Sequence, residues 1–392
     1  MSQDSLRINL VLGHQVPFPP TRGGGVNNLV WMMAKQFAAK GHIVTAYSPS
    51  APGLAEHEID PHGIEHFRVA GAPGHPNVWR DNGNALPYAR RLWPLLKSAD
   101  VTSLHTPFSF LLRYKPGLGV CTHTIHRTPK WIVHLHGNLD RIYGGSHAVI
   151  EQALQISPRL AAKLKAIHNC IELPNETPNA GFDSPLTFLY VGRFVPDKGL
   201  ESLVRGFLAV TPENREMRLR IIGPQTSEEG ADVGFLERMK TVIATSENAA
   251  QVSLEPSIYD RENLFAQIRS AAIFCLPSLT GETFSMAALE AMACAKPLLV
   301  SDYGPMREMV DHRSNGYIAK AGDADAWSEA IRFFLEKVRA IPEMGARSFA
   351  KAANSFSAER IAQEYLSDFR QLIAAKKSGR RRPAAQPIME KS

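Results

Sequence analysis

Residues 187–208 read TFLYVGRFVPDKGLESLVRGFL, and this stretch decides the fold. An apolar strand at Thr187–Val191 runs into a Gly-containing loop, and a helix is expected over Leu200–Leu208. The strand delivers Gly192 and Arg193 to its carboxyl end, and Lys198 follows five residues later at the helix start. A fixed guanidinium and a nearby ammonium beside a helix N-terminus suit a diphosphate. Such a pair would stabilise negative charge building on a leaving nucleotide diphosphate. Two surface cations on an ordinary loop are the competing reading.

The same alternation extends in both directions. Downstream, strands are expected at Leu219–Ile222, Val252–Leu254, Ile273–Leu276 and Pro297–Val300. They are separated by helices at Val233–Thr245, Arg261–Ser270 and Ser285–Ala295, and helices near 324–339 and 358–375 close the chain. Upstream, strands are expected at Ile8–Leu12, Ile43–Tyr47, Val101–Leu104, Val120–Thr124 and Arg141–Gly144. A helix from about Val26 to Lys40 carries an apolar stripe and ends at Gly41. Strands alternating with helices imply parallel sheets wrapped by helices, with ligands at the carboxyl ends of the strands. Residues 171–185, IELPNETPNAGFDSP, have no periodicity and look like a linker. The expected fold is therefore α/β, with two doubly wound Rossmann-like domains facing across a cleft. The domains are placed at 1–173 and 174–375, the last helix being free to pack back on the first, and a basic disordered tail at 376–392.

Composition agrees with two ordinary cores. The chain has 392 residues, 44% of them hydrophobic and 21% charged, with a net charge of +6. The four cysteines are scattered without C-x-x-C spacing, which argues against a disulfide framework or zinc site and for a reducing, cytoplasmic setting. No apolar run is long enough to span a membrane, and the start lacks the pattern of a secretory signal. Lys376, Lys377, Arg380, Arg381 and Arg382 crowd the tail. A solvated terminus is the plain reading, and peripheral contact with an anionic membrane is its main competitor. Nucleic acid is not expected, because no aromatics interleave with those charges.

Residues 280–304, TGETFSMAALEAMACAKPLLVSDYG, form the second candidate site. Glu282 falls on the loop before the helix, and Glu290 lies inside it among Ala287, Ala288, Leu289, Ala291 and Met292. A carboxylate on so apolar a helix needs partners or costs several kcal/mol. Ribose hydroxyls and an internal Arg are both suitable. The third candidate is the glycine run Gly23, Gly24, Gly25 before the first helix, where backbone can approach a phosphate or sugar. It is not G-x-G-x-x-G, and a tight turn without a ligand explains it equally well. Among the histidines, His126 ends a strand, whereas His134 and His136 are expected on a crossover helix at Lys130–Leu139. That topology makes His126 the better candidate. Asp323 and Asp325 form the only D-x-D, and helix capping is the expected role. No metal site is implied.

Together these segments resemble glycosyltransferase family 4, the retaining two-domain enzymes of the B-type fold. The likeness runs over about residues 8–340. It rests on LYVGRFVPDKG, on ETFSMAALEAMACAKPLLVSDYG with its E-x7-E spacing, on Glu308, and on TIHRTP, DRIYGGSHAV and AIHNCIEL. The resemblance implies a nucleoside-diphosphate sugar as donor, no separate cofactor and no metal. The implied acceptor is a hydroxyl of a glycan, polysaccharide or glycolipid. It assigns Arg193 and Lys198 to the donor diphosphate, Glu290 to the ribose and Glu282 to the transferred sugar. Backbone N–H groups at Phe284, Ser285 and Met286 would face the donor, and His126 would sit beside the reacting sugar. Gly24, Gly25 and Asn27 would lie at the donor–acceptor junction. Ser285, Ala295 and Cys170 stand where the family commonly has glycine, which leaves donor identity open. A catalytically silent sugar-nucleotide-binding scaffold subunit and an epimerase of the same fold are the alternatives.

Overall fold

The computed structural model describes residues 5–20, 25–74, 78–106, 108–211 and 216–379. The chain forms two compact units, one of residues 1–170 with 358–392 and the other of residues 171–357.

The first unit begins β1 (Arg7–Val11), α1 (Gly25–Ala39), β2 (Ile43–Pro49), β3 (His57–Ile59), β4 (Glu65–Val69). It continues α2 (Val78–Leu95), β5 (Val101–Leu104), α3 (Ser109–Leu112), β6 (Val120–Ile125), β7 (Arg141–Gly144), α4 (His147–Ile156), β8 (Leu164–Ala166). The sheet order is β3-β4-β2-β1-β5-β6-β7-β8. Every pairing is parallel except β3 with β4. β1 and β5 are neighbours although β2 is next to β1 on its other side, so the winding reverses there. A crevice opens at such a reversal, outside the carboxyl ends of the strands.

The second unit repeats the logic with β9 (Thr187–Val191), α5 (Leu200–Val210), β10 (Arg218–Ile222), α6 (Val233–Ala244), β11 (Val252–Glu255) and α7 (Arg261–Ser270). Then come β12 (Ile273–Leu276), α8 (Met286–Ala293), β13 (Leu298–Ser301), α9 (Met306–Met309), β14 (Gly316–Ala319), α10 (Ala324–Glu336) and α11 (Ile341–Lys351). Its sheet runs β11-β10-β9-β12-β13-β14, all parallel. The reversal falls between β9 and β12, whose following loops carry the two strongest sequence motifs. Phe188, Phe207, Leu219, Trp327 and Phe334 pack its core. Helix starts are set by side-chain caps: Asp232 on α6, Asp260 on α7 and Ser285 on α8. Asp323 caps α10, accepting from Ala326 N at 3.2 Å, so the D-x-D pair is a helix start.

The last helix, α12 (Ala358–Lys377), belongs to the first unit. Its Phe369 ring lies 6.1 Å from Phe37 of α1. Buried Asp368 accepts from Arg141 Nε at 3.1 Å, Tyr143 Oη at 2.7 Å and Lys165 Nζ at 3.0 Å. Lys376, placed in the tail from the sequence, is helical and donates to Gly119 O at 2.6 Å. Arg380, Arg381 and Arg382 lie outside the described residues.

Candidate functional site

In the second unit, the loop after β9 and the loop after β12 are knitted together by backbone. Leu279 N donates to Asp197 O at 2.9 Å, and Gly199 turns there with φ of +66°. A Cβ at Gly199 would stand 2.0 Å from Pro277 O, so only glycine lets the two loops meet. This closeness brings together two residues that the resemblance gives to different parts of the donor. Lys198 Nζ donates to Glu282 Oε1 in a half-buried ion pair, and Ser278 Oγ donates to the same oxygen at 3.3 Å. Glu282 therefore faces a lysine and a serine hydroxyl. Arg193 is exposed and makes no ion pair among the described residues. Its carbonyl accepts from the buried Tyr190 hydroxyl at 3.0 Å, which fixes the backbone that presents it.

Helix α8 opens at Ser285, whose Oγ accepts from Ala288 N at 3.4 Å. Phe284 is buried and meets Phe356 edge to face at 5.2 Å, anchoring the approach to the helix. Met286 is the first helical residue, so N–H groups at the helix start stand beside the switch point of the sheet. Glu290 is half-buried, and its carboxylate has no hydrogen-bond or ion-pair partner among the described residues. Burial pushes its pKa up to about 7, with Arg261 pulling the other way. The buried ion pair weighed from the sequence is thus not present among the described residues.

In the first unit, a cavity of about 420 Å³ opens at the β1–β5 reversal. Its walls include His14, Gly25, Asn27, His105, His123, His126, Arg127 and His136. Gly25 starts α1 against the cavity, and Gly24 lies outside the described residues. Asn27 is buried, and its amide donates to Val16 O and Pro17 O, both at 3.0 Å, so it also clamps the loop after β1. Residues 131–138 form a 3₁₀ helix, so His134 and His136 are helical. Yet His136 lines the same cavity as His126 and stacks on His123 at 4.2 Å. Strand end versus helix therefore does not separate the two histidines.

Sequence reasoning missed His14, His105 and His123. His105 directly follows β5, and His14 stands three residues beyond β1. Placement just past a strand end was the available signal for His14 and His105, whereas His123 lies within β6. His14 Nε2 lies 3.4 Å from Asp81 Oδ1, and His123 Nδ1 meets Ser109 Oγ at 2.8 Å. His126 Nε2 contacts His105 Nδ1 at 2.8 Å. Burial lowers all four imidazoles below their usual range, His126 to about 4 with Arg127 adding to the effect. They are neutral in the fold and take up protons when unfolded, so stability is lost as pH falls from 6.5 toward 4. His126 alone accounts for a loss on the order of 2–3 kcal/mol at the acid end. Melting temperatures from pH 8 to 4 should fall below pH 6.5, less steeply in His126→Asn. Parallel profiles for the two chains would contradict the assignment.

Two family models match the chain end to end of one another. One described as "Glycosyltransferase Family 4" covers residues 23–173, and "Glycosyl transferases group 1" covers residues 175–351. The phosphatidyl-myo-inositol mannosyltransferase of Mycobacterium leprae is 24% identical over 347 residues, spanning 83% of this chain and 86% of the relative. A D-inositol 3-phosphate glycosyltransferase of Streptomyces coelicolor is 28% identical over 169 residues, 43% of this chain and 36% of that protein. Among solved structures, sucrose-phosphate synthase from Thermosynechococcus elongatus superposes with a TM-score of 0.76 at 20% identity, covering 94% of this chain and 99% of that one. Anabaena HepE in complex with UDP-glucose gives 0.68 at 16% identity, covering 95% and 100%. With its two doubly wound, mainly parallel sheets and both family models in tandem, the chain belongs to the family 4 glycosyltransferases of the B-type fold.

Proposed function

We propose that this glycosyltransferase moves a sugar from a nucleoside-diphosphate sugar to a hydroxyl of a glycan, polysaccharide or glycolipid, with retention of anomeric configuration. The observation that carries the reading is Glu290, a half-buried carboxylate without a partner among the described residues, on the helix that starts at the β9–β12 switch point. A ribose diol is the ligand that such a carboxylate accommodates, and Arg193 and Lys198 supply charge for a diphosphate. The solved UDP-glucose complex of the similarly folded HepE supports this donor class. The name of the mycobacterial relative supports a lipid-linked acceptor.

In the transfer, the bond from the sugar's anomeric carbon to the diphosphate breaks. A bond from that carbon to the acceptor oxygen forms on the same face, and the acceptor proton passes to a donor phosphate oxygen. Arg193 and Lys198 stabilise the departing diphosphate, and the neutral His126 sits beside the sugar. Peripheral attachment to an anionic membrane through the basic tail belongs to the same proposal. No helix among the described residues is long and apolar enough to cross a membrane.

Because two side-chain cations meet the diphosphate, transfer is expected to be metal-independent. Turnover measured with a panel of nucleotide sugars should persist in excess EDTA. Complete loss, restored by magnesium or manganese, would contradict this part of the reading.

A further inference from the structure

The histidine that follows β5 has no role in the reading above, yet it is tied directly to the one that does. His105 Nδ1 and His126 Nε2 are 2.8 Å apart, their rings tilted by 33° with centroids 5.0 Å apart. On its other side, His105 Nε2 meets Ser103 Oγ at 3.1 Å. Its backbone N–H donates to Val11 O at 2.8 Å, extending the β1–β5 ladder by one residue. Beneath the pair lies a small apolar pocket formed by Leu10, Val30, Met33, Tyr365 and Phe369, with Ser103, His105 and His126 as its polar edge. Above it, both histidines line the large cavity.

We propose that His105 is a positioning residue, and that Ser103, His105 and His126 form a hydrogen-bonded relay fixing the orientation of His126 toward the sugar. The proposal rests on the reading that His126 sits beside the reacting sugar. A neutral imidazole carries one N–H, so two neutral rings share a single N–H across their contact. Burial keeps both neutral at working pH. The contact commits Nε2 of His126 to His105 and so sets which edge of the His126 ring faces away from it. His105 is in turn held at two points, its backbone by the ladder and its far nitrogen by Ser103. Two side chains of α12, Tyr365 and Phe369, belong to that floor, so the last helix of the chain supports the catalytic histidine from behind.

The test compares His126→Ala, His105→Ala, His105→Asn and the double alanine variant in the full chain, at saturating donor and acceptor. Melting temperature is measured alongside. His105→Ala should lower kcat by on the order of tenfold to a hundredfold, the cost of misplacing a group near the reaction, with donor KM little changed. His105→Asn keeps a short polar group where Nδ1 stood and should recover most of that loss. The double variant should be no slower than His126→Ala, because His105 acts only through His126. Full activity of His126→Ala would overturn the reading of His126 and this inference with it. Impaired His126→Ala with multiplying losses in the double variant would overturn the relay alone. So would a His105→Asn variant as slow as His105→Ala at an unchanged melting temperature.

Discussion

Replacing Asp368 by alanine is expected to lower the melting temperature of the full chain by on the order of 10 °C. Asp368 is 1% exposed and accepts from Arg141, Tyr143 and Lys165 at once. Arg141 is itself 4% exposed, so removing the carboxylate strands a guanidinium away from water. Breaking a buried pair from one side costs about 3–5 kcal/mol, a large part of a typical folding free energy. The network ties α12 to β7 and β8, which places the stability of the first unit on residues near the far end of the chain. Removing both charges together, Asp368→Leu with Arg141→Met, should cost less than Asp368→Ala. Calorimetric melting of the three chains checks this, and an Asp368→Ala chain that melts like the parent would refute it.

Glu290→Gln is expected to do two opposite things. Its carboxyl is raised from 4.5 to about 7 in the fold, so the charge destabilises the fold progressively as pH rises through that window. Glutamine removes the penalty, and the variant should melt higher above pH 7, by about 1–2 kcal/mol after discounting for its partial exposure. The same change should weaken a plain nucleoside diphosphate by about 1–3 kcal/mol, a factor of roughly 5 to 150. Gaining stability while losing affinity marks a residue held for binding. Glu282 should behave differently. It is paired with Lys198, so it does not serve the sugar alone, and Glu282→Gln frees the ammonium for the diphosphate. That variant should bind the diphosphate at least as well as the parent while turning over more slowly.

The second unit was largely legible before its structure. The strand at Thr187–Val191 is identical in both readings, because a buried parallel strand is an unbroken apolar run. β14 escaped notice because Gly316–Ala319 opens on a glycine directly after the polar run DHRSN, which reads as a turn. In the first unit, β3 is a three-residue edge strand, His57–Ile59, and β4, Glu65–Val69, lies next to it with buried and half-exposed residues alternating, so polar residues interrupt both patterns. α2 was hidden by Pro87 and Pro94, which ordinarily end a helix. At the site, Arg193, Lys198, Glu282 and Glu290 lie on two short motifs and could be picked out by spacing. Their pairing pattern could not, since it depends on how the loops after β9 and β12 meet. The histidine cluster was the least legible part. His14 and His105 follow β1 and β5, His123 lies in β6 and His126 just after it, and the order β1-β5-β6 brings them into one cavity.

The β9–β12 switch point is the proposed site for a nucleoside diphosphate, held by Arg193, Lys198 and Glu290. Calorimetric titration of the full chain and of Glu290→Gln with UDP, GDP, ADP and TDP tests it most directly. One of the four should bind the parent chain, and its affinity should fall in Glu290→Gln by the factor given above. Binding of none of the four, or equal binding by both chains, would contradict it.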